Sequence, residues 1–277
     1  MAEPRVTRFA PSPTGPLHLG HAFAALTAFE RASSGQFLLR IEDIDRDRCR
    51  PAWESAIHDD LAWLGLIWSR PMMRQSERTF AYAAALDRLA TMGLTYACHC
   101  TRADIRAALS APQEGAPGPD GPVYPGTCRG RNLAPQGAAI RLDMARAVAL
   151  TGPLAFTDTG TEQPGLHIND AGHMVETIGD VVLARRGWGT SYHLAVVVDD
   201  AAQGVTEVTR GADLFEATPI HVLLQRLLNL PTPSYHHHRL IRDNSGKRLA
   251  KRDDARALAK YRAEGATPQD IRRMVGL

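Results

Sequence analysis

The stretch that decides the fold is Arg8-Phe-Ala-Pro-Ser-Pro-Thr-Gly-Pro-Leu-His-Leu-Gly-His21. It joins a short predicted strand, residues 7–10, to an apolar periodic segment over residues 18–32, with Pro, Ser and Gly as turn residues between them. A second apolar run, residues 37–41, follows directly. Strand, turn, helix and strand in this order predict a βαβ unit with a parallel sheet, so we expect an α/β fold of the Rossmann type.

The rest of the chain predicts more elements of the same kind. A helix is expected after Pro51, whose fixed φ suits a first helical turn, and another over residues 76–92. The sheet is expected to resume at residues 138–142. The short, β-branched run at residues 194–198 predicts a buried parallel strand, and residues 212–230 predict a helix.

Composition and charge limit the classes of protein. A chain of 277 residues with 44% hydrophobic residues can bury a full core. Residues 1–7 lack a signal-peptide pattern and no apolar run approaches the roughly 18 residues of a membrane span, so we expect a cytoplasmic protein without a membrane partner. Residues 236–277 carry 11 Lys or Arg against 5 Asp or Glu, which suits RNA contact or, equally, a solvated helix face.

The start of the first predicted helix is a candidate nucleotide site. Helix N-termini present free N–H groups to phosphate, and Gly20 would let a ribose or base approach the backbone. His18 and His21 could donate hydrogen bonds to phosphate oxygens as charge builds in a transition state. Taken alone, such a histidine pair is more often a surface or internally satisfied pair. ATP binding by these three residues is therefore a hypothesis.

Residues 96–131 change character, because prolines and glycines crowd a loop-rich insertion. Three cysteines bracket this insertion: Cys98, Cys100 and Cys128. A disulfide framework is not expected in so long a chain without a secretion signal. Sulfur-rich tetrahedral sites suit zinc, and the fourth position is open to Tyr124, His99 or water.

Several blocks resemble one family. Residues 10–15 followed by His18-Leu-Gly-His21 resemble the HIGH region of class I aminoacyl-tRNA synthetases in its glutamyl form. Residues 40–45 (RIEDID), 63–68 (WLGLIW) and 192–213 are similar to further blocks of that family. The segment Lys247-Arg-Leu-Ala-Lys-Arg252 lies where the family has its KMSKS loop, although arginine replaces the first lysine and alanine the serine.

The resemblance implies an enzyme that activates L-glutamate with ATP as its magnesium salt. It implies His18, His21 and Lys251 as catalytic residues that also bind ATP together with Gly20, and it favours Tyr124 as the fourth ligand of one structural zinc ion. The implied glutamate contacts are Arg8, Ala10, Ser12, Glu42, Tyr192 and Arg210. Two guanidinium groups and one carboxylate complement the two carboxylates and the ammonium of glutamate.

The number of residues after the KMSKS-like loop narrows the predicted function. Only residues 253–277 follow it, which leaves no room for the helical domain with which a glutamyl-tRNA synthetase grips the anticodon. The chain thus resembles the truncated paralogues of that family, the glutamyl-queuosine tRNA(Asp) synthetases. This implies transfer of glutamate to the queuosine base in the anticodon of tRNA(Asp), by a monomer. The alternatives are a glutamyl-tRNA(Glu) ligase without its anticodon domain, and an inert RNA-binding or regulatory paralogue.

The expected domain organisation follows from these blocks. Residues 1–95 form the first half of the Rossmann-type catalytic domain, and residues 96–131 form the zinc-binding insertion. Residues 132–235 contain an acceptor-like insertion and the second half of the catalytic domain. Residues 236–277 contain the KMSKS-like loop and the basic C-terminal segment.

Overall fold

The computed structural model describes residues 4–109, 117–119, 121–187, 189–242 and 256–277. The strands are β1 (Val6–Phe9), β2 (Gln36–Ile41), β3 (Ser69–Arg74), β4 (Thr95–Cys98), β5 (Pro117–Gly118), β6 (Gly121–Pro122), β7 (Ala139–Leu142), β8 (Leu154–Asp158), β9 (Gly165–Asn169), β10 (Val182–Ala184), β11 (Glu207–Gly211) and β12 (Ser234–His238). The helices are α1 (Leu19–Ala32), α2 (Pro51–Trp63), α3 (Thr79–Thr91), α4 (Arg102–Leu109), α5 (Met144–Thr151), α6 (Ala171–His173), α7 (Tyr192–Ala202), α8 (Thr218–Leu227), α9 (Leu258–Ala263) and α10 (Pro268–Val275).

Two sheets with parallel strands form the centre of the fold. Strands β1, β2 and β3 are parallel, and in the second sheet, ordered β11-β12-β8-β9, the first three strands are parallel and β9 is antiparallel. The sheets meet at β1 and β11, where Thr206 N–H donates to Val6 O at 3.0 Å and Arg8 Nη1 donates to Thr209 O at 3.0 Å. Residue numbers increase in the same direction along both strands in these contacts, so β1 and β11 are parallel. Their carboxyl ends therefore lie at the same edge.

The predicted βαβ unit is confirmed, with α1 between the parallel strands β1 and β2. Helix α1 buries Phe23 and Leu26 against this sheet, and α10 packs on the same helix through the buried Ile271 and Val275. Helix α2 begins at Pro51 as predicted. The C-terminal helices thus cover the first half of the sheet, in the same apolar cluster as α1 and α2.

The prediction of a strand at residues 194–198 is wrong, because these residues lie in α7. The hydroxyl of Ser191 caps the helix by accepting the N–H of Leu194 at 3.5 Å. Most of α7 is buried, and the two aspartates of its last turn form ion pairs with arginines on β1, on β2 and just before α3. Because α7 is buried on several faces, its apolar residues do not follow the helical period that a half-exposed helix would show. Packing outweighs the β propensity of its valines.

Two further predictions need correction in detail. Residues 138–142 do form a strand, β7, but it does not continue the parallel sheet, because it pairs antiparallel with β4 and β10 in a separate sheet. The helix expected over residues 212–230 is α8 preceded by a 3-10 turn, Ala212–Ala217. Pro219 lies in the first turn of α8, where its missing N–H costs no helical hydrogen bond.

The insertion contains β4, α4 and the β5–β6 hairpin, and β4 pairs with β7. Within the ranges given above, no helix has both the length and the apolar character needed to cross a bilayer.

Candidate active site

The histidine pair lies at the N-terminus of α1. The His18 ring accepts the Gly20 N–H at 3.1 Å, the His21 ring accepts the His18 N–H at 3.2 Å, and the ring centroids are 3.8 Å apart. A Cβ on Gly20 would lie 2.9 Å from Cε1 of His18. In this structure glycine is therefore required to let the His18 ring fold over the helix start, where the helix dipole favours an anion.

The loop that precedes α1 is tied to the end of β2. Glu42 N–H donates to Pro11 O at 3.0 Å, and Arg50 N–H donates to Pro13 O at 3.0 Å. These bonds bring the segment that contains Ala10 and Ser12 against Glu42. Three of the predicted glutamate contacts therefore lie together at the carboxyl ends of β1 and β2.

Arg8 is paired with an internal carboxylate. Its side chain is buried, and Nε donates to Asp200 Oδ1 at 2.9 Å. The fully buried Arg40 donates to the same oxygen at 2.7 Å. Burial alone would raise the pKa of Asp200, but the charges of Arg40 and Arg8 outweigh it and hold that pKa below its ordinary value. Arg8 thus has its counter-charge within the protein.

Glu42 lies beside this pair. Its Oε1 is 3.4 Å from Nη2 of Arg40. Burial raises the pKa of Glu42, and the nearby charges of Arg40 and Arg8 oppose that rise without cancelling it. A substrate ammonium next to Glu42 would favour the carboxylate form, so the site is suited to a cationic group.

Arg210 is buried as deeply as Arg8 but has different partners. Its Nε donates to His237 Nε2 at 3.0 Å, Nη1 to His221 Nδ1 at 2.9 Å and Nη2 to Thr218 Oγ1 at 2.8 Å. All three acceptors are neutral groups. Among the described residues, no carboxylate lies within ion-pair distance of this guanidinium. The end of β11 therefore holds a buried cation for which the described part of the chain supplies no counter-ion.

The two histidines that accept hydrogen bonds from Arg210 are uncharged at neutral pH. Burial and the charge of Arg210 lower the pKa of His237 to about 4, although its Nδ1 donates to Asp158. Burial and Arg210 also hold the pKa of His221 well below its ordinary value. The ring of Tyr192 packs edge-on against His221, with centroids 5.6 Å apart.

The predicted glutamate contacts thus converge at one edge of the joined sheets. Tyr192 lies close enough to respond to the charged ones: burial raises the pKa of its hydroxyl, while the charges of Arg210, Glu42 and Arg8 act on it as well. Lys251 lies outside the described residues. The chain that follows it returns to the histidine pair, because Ala257 pairs with His18 in an antiparallel bridge and Leu258 N–H donates to Leu17 O at 2.8 Å.

Sequence reasoning missed five residues that build the site. They are Arg40, Asp158, Asp200, His221 and His237. The acidic pair at residues 199–200 was a visible signal, since acids at the end of an apolar run require partners when buried. The three consecutive histidines at residues 236–238 gave no clear signal in the sequence, because alternation along a strand sends neighbours to opposite faces. Alternation is observed in β12, but it could not tell which face meets Arg210.

The cysteines of the insertion converge as predicted. Their Sγ atoms lie within 4.8 Å of one another, and the hydroxyl of Tyr124 lies 3.4 Å from the Sγ atoms of Cys98 and Cys100. His99 turns instead to Ala134 O, with its Nε2 at 2.9 Å. Burial raises the pKa of Cys128, but hydrogen bonds, chiefly with Tyr124, outweigh it and bring that pKa to about 7. This group of donors can hold a metal ion, and its chemistry fits zinc.

Comparisons with known proteins identify the family. The catalytic-domain model of the class I tRNA synthetases for glutamate and glutamine matches residues 5–134 and 161–277. A Rhodobacter capsulatus protein named glutamyl-Q tRNA(Asp) synthetase is 62% identical, over 98% of this chain and 100% of its own length. A Nocardia farcinica protein of the same name is 45% identical, over 95% of this chain and 81% of its own length.

Solved structures show the same fold. A glutamate tRNA ligase from Elizabethkingia meningosepticum, in complex with its amino acid, superposes with a TM-score of 0.77 at 27% identity, over 99% of this chain. The chain spans 61% of the length of that ligase. The chain is an aminoacyl-tRNA synthetase-type ligase that belongs to the class I glutamyl- and glutaminyl-tRNA synthetase family, in the group of the glutamyl-Q tRNA(Asp) synthetases.

Proposed function

We propose that this protein activates L-glutamate with ATP to form glutamyl-adenylate, and transfers the glutamate to the queuosine base in the anticodon of tRNA(Asp). The observation that carries the first step is the buried guanidinium of Arg210, which neutral groups orient and for which no described residue supplies a counter-ion. The names of the relatives support the second step.

The pocket suggests one orientation for glutamate. The side-chain carboxylate would meet Arg210, the deepest available cation, and the ammonium would meet Glu42. The α-carboxylate is then left towards the histidine pair, where ATP would lie. Ala10, Ser12 and Tyr192 would complete the walls, and Arg8 would act chiefly through its bond to Asp200. Glutamine would leave Arg210 without a counter-charge, which disfavours it by several kcal/mol, about 2–5 by the cost of an unpaired buried charge.

Activation would proceed by positioning and charge stabilisation. The α-carboxylate attacks the α-phosphate of ATP, bound as its magnesium salt, and pyrophosphate leaves. His18 and His21, with Gly20 keeping His18 over the helix start, would stabilise the charge on the phosphate, and Lys251 would do so from the KMSKS-like loop. A hydroxyl of queuosine then attacks the carbonyl of the adenylate, an ester forms and AMP leaves. No side-chain nucleophile is needed.

The cysteine group would hold one zinc ion through Cys98, Cys100, Cys128 and Tyr124. Such an ion would link β4 to the turn at residues 124–128 and take no part in the reaction. Metal analysis of the purified protein should find about one zinc per chain. A stable, metal-free protein would contradict this part of the proposal.

The proposal is tested by following labelled glutamate. We expect it to be accepted by tRNA(Asp) that carries queuosine, and not by the same tRNA with guanosine in its place. Efficient charging of unmodified tRNA(Glu) at its terminal ribose would favour the truncated glutamyl-tRNA(Glu) ligase instead. Absence of any glutamate-dependent reaction with ATP would favour an inert paralogue.

A further inference from the structure

We infer that His221 and His237 are positioning residues that set the selectivity of Arg210: they hold its guanidinium through neutral acceptors, so that its charge stays uncompensated until an anionic substrate side chain arrives. This inference rests on the proposed glutamate pocket. It assigns a role to two buried histidines on α8 and β12 that the chemistry of activation does not use.

The hydrogen bonds fix the tautomer of each ring. An arginine side chain can only donate, so Nε2 of His237 and Nδ1 of His221 must both accept. The proton of His237 is then on Nδ1, which donates to Asp158. The proton of His221 is on Nε2, which donates to Nδ1 of His193 at 3.0 Å. Each ring is held on both sides and has one orientation available.

The carboxylate that contacts His237 is separated from the guanidinium by the imidazole ring. Asp158 lies on the far side of the His237 ring, and it also accepts the Gly160 N–H at 2.6 Å and the His237 N–H at 3.3 Å. Its charge therefore reaches Arg210 only across an imidazole. In contrast, Asp200 contacts Arg8 directly at 2.9 Å. Orientation of Arg210 is thus achieved without neutralising it.

The remaining donors of Arg210 suit a carboxylate. A guanidinium has five N–H groups, and His237, His221 and Thr218 take a single N–H each, from three different nitrogens. Both terminal nitrogens keep a further N–H that no described residue accepts. N–H groups on one rigid guanidinium plane can donate to a carboxylate, and they do so in bidentate fashion where they are parallel. The three bonds fix the guanidinium plane, and the two open N–H groups leave it able to bind a substrate anion.

Protonation of either ring would destroy this arrangement. A protonated imidazole cannot accept from Arg210 and would place a second positive charge beside it. Burial keeps both rings neutral, since His237 and His221 are 0% and 2% exposed. The histidines therefore combine two properties that a carboxylate at the same place would not: they accept strongly and carry no charge.

Three substitutions of His221 separate orientation from charge. His221→Leu removes the acceptor, His221→Asn keeps an acceptor near the position of Nδ1, and His221→Asp keeps the acceptor but adds a negative charge. Glutamate-dependent ATP–pyrophosphate exchange gives KM for glutamate, KM for ATP and the preference for glutamate over glutamine. Glutamate binding by calorimetry gives a readout that does not depend on catalysis.

We expect His221→Leu to raise the KM for glutamate about tenfold or more, the effect of losing one hydrogen bond to a charged group, with the KM for ATP changed less than twofold. His221→Asn should recover most of this loss. His221→Asp should orient Arg210 as well as asparagine does, but lower the preference for glutamate over glutamine by about tenfold or more, because the added carboxylate neutralises the cation.

His237 supplies an independent test that holds even if His221→Asp does not fold. His237→Gln can still offer an oxygen to Arg210 Nε, whereas His237→Leu cannot, so the glutamine variant should have the lower KM for glutamate. Equal glutamate preference in the His221→Asn and His221→Asp variants, or equal KM values in the His237 pair, would overturn the inference while wild-type exchange is intact. Absence of exchange in the wild-type protein would overturn the proposed function and, with it, this inference.

Discussion

Two buried arginines on adjacent parallel strands have opposite charge balances. Arg8 on β1 donates to the carboxylate of Asp200, which also pairs with Arg40. Arg210 on β11 donates to two neutral histidines and a threonine hydroxyl, and none of its described partners is charged. Both guanidinium groups are less than one-tenth exposed. Residue type and burial are therefore the same, and the partners alone make one arginine part of the scaffold and the other a site for an anion.

The difference follows from the elements that pack on each strand. Helix α7 carries two consecutive aspartates in its last turn, and the second of these, Asp200, pairs with Arg8 on β1 and Arg40 on β2. Strand β11 is flanked by β12 and by α8, which present His237 and His221. A buried cation without a counter-ion is costly. Its retention at the end of a strand in a nucleotide-binding fold is consistent with a substrate that supplies the missing charge.

The largest expected effect is a loss of stability when Asp200 is replaced. Asp200→Ala removes the direct counter-charge of Arg8 and the closest one of Arg40, so we expect the free energy of unfolding to fall by about 3–5 kcal/mol. Denaturant titration followed by circular dichroism measures this. Asp59→Ala, an acid on α2 outside this network, is the control. A loss below about 1 kcal/mol would mean that Arg8 does not depend on Asp200.

Arg210→Ala should show the opposite pattern. Since no internal carboxylate is left unpaired, stability should fall little, but kcat/KM for glutamate should drop about 100-fold to 1000-fold, the loss of one buried, charge-paired contact. The KM for ATP should change far less. Arg8→Ala should also raise the glutamate requirement, and it should cost more stability than Arg210→Ala, because it leaves Asp200 with one guanidinium fewer. Equal stability losses in the two alanine variants would contradict the difference in charge balance between Arg8 and Arg210.

Acid should weaken the Arg210 side of the site. The pKa of His237 is about 4 in the folded protein, against 6.5 for an unperturbed histidine. Since the unfolded chain binds the proton more readily, the stabilisation is complete above pH 6.5 and is lost as the pH falls towards 4. This contributes a loss of about 2 kcal/mol at about pH 5. The stability difference between wild type and His237→Gln should narrow accordingly between about pH 7 and pH 5, and a constant difference would contradict the assignment.

The smallest effect on glutamate selectivity is expected from the cysteine group. Cys100→Ser should lower zinc content and the melting temperature, because metal binding contributes folding energy. The preference for glutamate over glutamine should change less than twofold, since no described residue of the insertion is a hydrogen-bond partner of Arg8 or Arg210. Metal analysis and the exchange assay measure the two properties separately. A large change in preference would link the cysteine group to the glutamate pocket.

The sequence predicted the elements around Arg8 better than those around Arg210. Residues 8–21 and residues 40–45 are continuous blocks in which turn residues, a helix start and a strand end follow one another, so local patterns suffice. Arg210 was named, but its histidine partners come from α8 and β12, which are distant in sequence. Residues 194–198 were predicted as a strand because valines favour strands. A helix is stable there because it is buried on several faces and because the two aspartates that follow form ion pairs. The role of Lys251 stays a prediction.

The most direct test of the account is pyrophosphate exchange with ATP and either glutamate or glutamine, without tRNA, on the wild-type protein and on Arg210→Ala. We predict robust exchange with glutamate in the wild type, little with glutamine, and loss of that preference in the variant. No exchange with glutamate, or an unchanged preference when Arg210 is removed, would contradict the claim that this guanidinium receives the substrate carboxylate.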